Sequence, residues 1–176
     1  MYPVLRLLHV LATARRRSAL QPWEPSELRM TVRPWDCDMF GEVNNGRYFT
    51  LFDLGRFDVA LRTGLSPILR QRRWGLVVAG STIRYRKRLR PFQRWTMRTV
   101  LAGRDDRWFY FAQSAWRNGE ACASALVRTG VTAKGSVLPT QEVCEALGHP
   151  EWRPDLPAWM QGWAQADRER PWPPEE

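Results

Sequence analysis

Histidine is scarce in this chain. Of its 176 residues only His9 and His149 are histidines, and both lie in terminal segments. Serine–histidine and cysteine–histidine catalysis require a histidine base beside the nucleophile, so the sequence argues against both mechanisms. The patterns H-E-x-x-H and G-x-x-x-x-G-K-[ST] do not occur, which argues against a zinc protease of that type and against a P-loop nucleotide site.

Cysteine is also rare, and long apolar runs are missing. Cys37, Cys122 and Cys144 are far apart and odd in number, and no C-x-x-C spacing occurs. This pattern predicts reduced thiols, no zinc site and no disulfide framework. No apolar run reaches the length of a membrane span. The hydrophobic content of 44% with ten tryptophans is nevertheless enough for the core of one domain.

Acidic residues are outnumbered, 18 against 27 lysines and arginines, for a formal net charge of +9. Such a balance favours anionic partners, namely nucleic acid, anionic lipid or a phosphorylated cofactor, but it is equally compatible with a solvated basic surface. Helix-turn-helix, zinc-finger and RNP-type aromatic motifs do not occur. We therefore expect no nucleic-acid partner.

The N-terminal segment predicts a short amphipathic helix. Val4, Leu7, Leu8 and Leu11 recur at helical spacing, and the arginines at 15–17 follow them instead of preceding them. That order differs from the order in a signal peptide. Two interpretations stay open: the helix packs on its own domain or on a partner subunit, or residues 3–17 make a peripheral contact with a membrane surface.

Three regions are expected along the chain. They are an amphipathic N-terminal segment and linker (1–26), a folded domain (27–139), and a C-terminal helical extension and tail (140–176). The folded domain begins with a strand within 28–35, and the apolar pattern of Gly46–Thr63 covers most of a helix circumference, which predicts a buried helix. A second helical piece is expected at Ser66–Arg73, and the C-terminal region should hold helices at Thr140–Leu147 and Pro157–Arg168.

The rest of the folded domain is predicted to form strands. Four are expected, at 75–89, 95–104, 107–117 and 120–134, with tight connections at Asp105-Asp106 and Asn118-Gly119. One apolar helix wrapped by an antiparallel meander is an α+β arrangement. The prediction is therefore a hotdog fold, an antiparallel β-sheet wrapped around one long central α-helix.

The polar segment DCDMFGEVNN (36–45) stands between the first strand and the buried helix. With the following Gly46, Arg47 and Tyr48 it resembles the pattern D-x-D-x-x-G-H-V-N-N-x-x-Y of the 4-hydroxybenzoyl-CoA thioesterase family. The sequence is most similar to the thioesterase superfamily member 6-like group, over roughly residues 27–165. The segments that carry this further resemblance are NNGRYFTLFDLGRFDVALRTG (44–64), STIRYRKRLRPF (81–92), DDRWFY (105–110) and DLPAWMQGW (155–163).

The resemblance implies an acyl-CoA thioesterase. Asp38 would be the catalytic carboxylate, and the amide of Asn45 at the helix start would polarise the thioester carbonyl. Members act as dimers or dimers of dimers, with the site between subunits. The substrate would be an acyl-CoA or an acylated carrier protein, with no metal and no cofactor beyond the coenzyme A of the substrate. The expected location is the cytoplasm, with the membrane-surface contact left open.

Elementary chemistry agrees with this implication. The first turn of a helix presents unpaired N–H groups and partial positive charge to a developing oxyanion. A nearby carboxylate can activate water as a general base or attack directly as a nucleophile, and Asp38 fits both routes. A hotdog protein that binds acyl-CoA or acyl carrier protein without hydrolysis is the alternative.

The surrounding residues keep two interpretations each. Glu42 replaces the family's usual His and would be a second acid/base group or a solvated loop residue. Asn44 and Asn45 are both good helix caps, and at least one of them is expected to cap the helix, with a role in orienting water or substrate as the second interpretation. Tyr48 belongs to the core or to the substrate site. Arg84, Arg86 and Arg88 alternate along one predicted strand face and would bind the phosphates of coenzyme A or face solvent.

Overall fold

A curled antiparallel sheet packs around one long helix. The computed structural model describes residues 2–174. The helices are α1 (Val4–Ala14), α2 (Asn45–Arg62), α3 (Leu65–Arg72), α4 (Thr140–Leu147) and α5 (Ala158–Glu169), with a 3-10 turn at Pro34–Asp36. The strands are β1 (Ser26–Thr31), β2 (Gly75–Tyr85), β3 (Arg94–Arg104), β4 (Phe109–Arg117), β5 (Glu120–Ala133) and β6 (Ser136–Val137). The order is β1-β3-β4-β5-β2, with β6 beside β5, so the predicted α+β hotdog fold is confirmed.

Helix α2 is the centre of the fold, one residue from its predicted limits at each end. Leu51, Phe52 and Leu54 are at most 1% exposed and belong to the same core cluster as Trp95 and Met97 of β3. A helix that is apolar around most of its circumference is stable only when it is buried, and the sheet packed around α2 provides that burial.

Gly55 allows α2 to approach β3 closely. A Cβ there would lie 2.8 Å from Met97 Sδ and closer still to Thr99 Oγ1. We expect Gly55→Ala to lower the free energy of unfolding by about 1–3 kcal/mol, because overpacking forces the neighbours apart. At Gly162, inside α5, an added Cβ would have no atom within 4 Å, so Gly162→Ala should instead be neutral or stabilising. Urea denaturation of both variants tests this; equal effects would contradict it.

Strand β2 is shorter than predicted. It ends at Tyr85 instead of residue 89, because the amides of Arg86 and Lys87 both donate to the Cys122 carbonyl, at 2.8 and 3.0 Å. The chain then leaves the sheet to bury Leu89, whose side chain is 0% exposed. The expectation that the arginines at 84, 86 and 88 share one strand face is therefore wrong, since only the first of them lies in the strand.

Strand β1 begins earlier and ends earlier than the predicted segment 28–35. Ser26, assigned to the linker, pairs with Thr99 as the first residue of β1, and its hydroxyl donates to Asp58 at 2.6 Å. Regular pairing ends at Thr31: the Val32 amide donates to the Gln93 carbonyl, but the Val32 carbonyl accepts from the Phe92 amide, and the 3-10 turn follows.

Helix α1 packs on its own domain. Val10 and Ala14 are 4% and 2% exposed and face α2, whereas Val4 and Leu8 of the predicted stripe face solvent. Arg6 and Arg17 anchor its two ends to buried carboxylates, at 2.7 Å from Asp36 and 2.6 Å from Asp58. Within residues 2–174, none of the helices has the length and apolar character needed to cross a bilayer.

Candidate active site

The loop between β1 and α2, residues 36–44, is a tight turn that we call the acidic loop. Cys37 and Val43 form an isolated antiparallel bridge, and the Asp38 amide donates to the Glu42 carbonyl at 2.9 Å. Asp38 is half-buried, and its Oδ1 accepts a hydrogen bond from the Phe40 amide at 2.9 Å. The turn thus fixes the side chain on which the predicted chemistry depends.

The start of α2 leaves one amide available. Asn44 is the N-cap: its Oδ1 accepts from the Gly46 amide at 2.9 Å, and its carbonyl accepts from the Arg47 amide at 2.9 Å. Asn45 is the first helical residue, and the N–H of a first helical residue has no acceptor within its own helix. The capping role predicted for one of the two asparagines therefore falls to Asn44, and the amide of Asn45 stands at the positive end of the helix.

Tyr85, which sequence reasoning did not single out, supports this helix start. Its hydroxyl donates to the Asn45 carbonyl at 3.0 Å, across 40 residues of chain. Tyr48 is buried behind it, 3% exposed, with the two ring centroids 5.4 Å apart. Burial raises the pKa of Tyr48 well above its ordinary value, so the ring is a neutral core residue beneath the site.

Asp36, the first acidic residue of the motif, is structural. It is 1% exposed, and its carboxylate accepts from Arg6 Nη2 at 2.7 Å, Arg47 Nε at 2.8 Å and the Arg33 amide at 2.8 Å. Burial disfavours its charged form, but these hydrogen bonds outweigh burial and lower the pKa of the carboxyl. Because its carbonyl also accepts from the Asn44 amide at 2.9 Å, Asp36 connects α1, the acidic loop and the helix cap.

Glu42 is paired with one of the predicted coenzyme A ligands. Its carboxylate lies 2.9 Å from Arg88 Nε, and the two side chains are 27% and 70% exposed. Arg84 and Arg86 are exposed as well, on the end of β2 and just after it. The structure therefore brings Arg88 to the acidic loop through Glu42, while the other two arginines stand on the adjoining surface.

A groove lies beside the start of α2, and a cavity lies further along the same helix. Trp35, Cys37, Asn44 and Thr50 line the groove together with Tyr2. Tyr2 also lines the cavity, which has a volume of about 400 Å³ and lies between the second half of α2 and the sheet. Asp53 and Arg56 form an ion pair at its border. Sequence periodicity could not reveal this cavity, because its walls come from distant elements.

Strand β2 forms one edge of the sheet and carries apolar side chains there. Leu76, Val77 and Val78 are 48%, 37% and 56% exposed, next to the cavity that they help to line. A long apolar edge strand with unpaired backbone groups is a template for pairing with another strand.

Comparison with known proteins identifies the family. Residues 32–164 match the thioesterase-like superfamily. Protein THEM6 from Xenopus laevis is 31% identical over 132 residues, covering 73% of this chain and 64% of that protein, so the chain spans less than two thirds of this relative's length. The predicted resemblance to the member 6-like group is thus confirmed.

Solved structures share the fold. YbaW from Escherichia coli superposes with a TM-score of 0.65 at 20% identity, covering 70% of this chain and 96% of YbaW. The 1,4-dihydroxy-2-naphthoyl-CoA thioesterase Slr0204 from Synechocystis gives a TM-score of 0.61 at 12% identity, covering 70% and 95%. Because the superfamily match extends over more than half of the chain, the protein belongs to the thioesterase-like superfamily.

Proposed function

We propose that this protein hydrolyses acyl-CoA thioesters. The observation that carries the proposal is the capping pattern at α2. Asn44 occupies the amides of Gly46 and Arg47 and leaves that of Asn45 at the helix end, directly after the loop that holds Asp38. A helix N-terminus with an available amide, preceded in the chain by a loop that carries a carboxylate, suits a reaction in which a carbonyl oxygen becomes negatively charged.

The reaction requires only these groups. The thioester oxygen accepts a hydrogen bond from the Asn45 amide, and Asp38 takes a proton from water as that water attacks the carbonyl carbon. The carbon–sulfur bond then breaks, and the proton passes to the leaving coenzyme A thiolate. In the nucleophilic variant, Asp38 Oδ2 forms a mixed anhydride that water hydrolyses in a second step. Both routes give a free acid and coenzyme A.

The basic surface beside the acidic loop supports coenzyme A as the carrier. Arg84, Arg86 and Arg88 are exposed at alternate positions of one short segment and can bind the phosphates of the nucleotide. Arg88 is held by Glu42 at 2.9 Å, which suggests a role for Glu42 in placing this arginine. An acylated carrier protein is the second carrier that this surface suits, because its phosphopantetheine group also bears an anionic phosphate.

We further propose a homodimer formed through β2, or a dimer of such dimers. The edge position of β2 and its exposed Leu76 and Val78 support antiparallel pairing with a second copy, which would also close the open side of the cavity.

Val78→Lys tests the dimer. A lysine on this edge should block strand pairing through like-charge repulsion, so light scattering should report a monomer, with hydrolysis reduced at least tenfold. Leu5→Lys, at a side chain 83% exposed on α1, is the control and should leave the mass unchanged. A Val78→Lys protein with unchanged mass would exclude this edge as the interface.

A non-hydrolytic acyl-CoA binding protein is the second candidate. It is favoured by the replacement of the family's usual His by Glu42, a residue already occupied by Arg88. Release of free coenzyme A thiol from a panel of acyl-CoA thioesters, from acetyl to palmitoyl with benzoyl-CoA included, separates the two. A thioesterase turns over at least one member; saturable binding with no thiol release would establish the binding protein.

A further inference from the structure

The lining and the position of the cavity beyond Tyr2 bear on which acyl group the protein binds. We propose that it binds an unbranched aliphatic acyl chain of medium to long length, and not a hydroxylated aromatic acyl group. The proposal rests on the proposed function in one respect, since it takes the thioester carbonyl to lie at the Asn45 amide. The cavity has a volume of about 400 Å³, which lies in the range of ordinary small-molecule sites.

The walls of the cavity are apolar. They come from α2, from the β2 edge, from β4 and β5, and from α4, with Ala60, Phe111, Val131, Val143 and Leu147 among them. An alkyl chain placed here would gain the free energy of leaving water, because most of the side chains that it would contact are apolar.

Four polar side chains of the lining, those of Asp53, Arg56, Thr63 and Thr129, already have hydrogen-bond partners within the protein. The Thr63 hydroxyl donates to the Val59 carbonyl at 2.8 Å. Arg56 is bonded to both Asp53 and Gln113, and Gln113 in turn donates to Thr99 at 2.9 Å. Burial raises the pKa of Asp53, as expected for a carboxylate at the rim of an apolar space. A phenolic hydroxyl placed in the cavity would lose its hydrogen bonds to water and compete with these existing bonds.

The geometry of α2 determines how long an acyl chain must be to reach the cavity. Asn45 and Asp53 are separated by eight residues of helix, which corresponds to about 12 Å. An extended alkyl chain advances about 1.25 Å per carbon, given a C–C bond of about 1.52 Å and an angle of about 111°. A chain that starts at the Asn45 amide and follows the groove therefore needs roughly ten carbons to reach the cavity. Acyl groups of two to four carbons would stop in the groove.

Calorimetric binding of thioether analogues of acyl-CoA tests this independently of hydrolysis, because a thioether cannot be cleaved. We use butyl-, octyl-, dodecyl- and 4-hydroxybenzyl-CoA with the full chain. Affinity should rise at least about tenfold from octyl to dodecyl, since burial of two methylenes already corresponds to roughly tenfold. The 4-hydroxybenzyl analogue should bind no better than butyl-CoA. Equal affinity of octyl and dodecyl analogues, or tightest binding of the aromatic one, would overturn the proposal.

Ala60→Phe fills the cavity from α2 and is compared with Ala12→Phe, on the exposed side of α1. The first variant should weaken dodecyl-CoA binding at least about tenfold, a loss that corresponds to two excluded methylenes, with butyl-CoA unaffected. The control should change neither. Should Ala60→Phe fail to fold, Leu147→Trp fills the same space from α4 and carries the same expectation. Equal losses for butyl- and dodecyl-CoA would contradict the proposal.

The two proposals fail differently. Tight dodecyl-CoA binding without thiol release from dodecanoyl-CoA would leave the cavity assignment standing and refute the thioesterase. Turnover that is fastest with benzoyl-type thioesters, together with weak dodecyl-CoA binding, would keep the thioesterase and refute the aliphatic cavity.

Discussion

Asp38→Asn is expected to lower kcat for acyl-CoA hydrolysis by about 10³-fold or more, the range of effects associated with loss of a general base or a nucleophile. The amide can still bond to the Phe40 amide through its oxygen, as Oδ1 does at 2.9 Å in the wild type. The turn should therefore survive, and KM and thermal stability should change little. Steady-state release of coenzyme A thiol measures the loss, and the substrate is the best one found in the panel.

Asp106→Asn is the matched control, because this aspartate lies in another loop with a side chain 86% exposed. It should retain wild-type kcat and KM. An Asp38→Asn enzyme with more than about a tenth of wild-type kcat would remove Asp38 from the chemical step, since even weak general-base contributions exceed that factor.

Asp36→Ala is expected to produce the largest loss of stability, about 3–5 kcal/mol, because it removes a fully buried carboxylate that pairs with two largely buried arginines. Arg6 and Arg47 contact this carboxylate at 2.7 and 2.8 Å, and their side chains are 20% and 12% exposed. The Arg33 amide and the link to the acidic loop are lost with it. Denaturant unfolding measures the loss. Asp106→Ala, which breaks the exposed pair with Arg153, should leave stability unchanged within error.

The same carboxylate predicts a dependence of stability on pH. Its pKa in the folded protein is lowered below the ordinary value of 3.8, so the unfolded chain binds the proton more readily. The stabilisation is complete above about pH 4 and disappears as the pH falls through the lower folded-state pKa. Asp36→Asn should therefore flatten the acid limb of the stability curve. An acid limb identical to that of the wild type would show that Asp36 does not contribute to it.

Features that depend on local sequence were predictable. The apolar circumference of α2 and the Asn118-Gly119 turn, whose two residues have φ of 51° and 79°, follow from helical periodicity and from residues that tolerate positive φ. A helix cap at one of the two asparagines was also predictable, because a short polar side chain can accept from an amide two residues ahead, as Asn44 does from Gly46.

Features that depend on contacts distant in sequence were not predictable. Strand β2 ends at Tyr85 because Leu89 leaves the sheet for the core, and alternation of residue types continues past that point without any local signal. The ion pair of Arg6 with Asp36 spans 30 residues, and the bond from Tyr85 to Asn45 spans 40. The boundaries at 26/27 and 139/140 stay predictions, as does any contact of residues 3–17 with a membrane.

The most direct test of the account is a crystal structure of the protein with 2-oxotetradecyl-CoA, a ketone in which a methylene separates sulfur from the carbonyl and prevents cleavage. We expect the ketone oxygen to lie within hydrogen-bond distance of the Asn45 amide, the Asp38 carboxylate to lie beside the carbonyl carbon, and the alkyl chain to follow α2 past Tyr2. A carbonyl bound elsewhere, with the Asn45 amide facing solvent and Asp38 remote from the ligand, would contradict it.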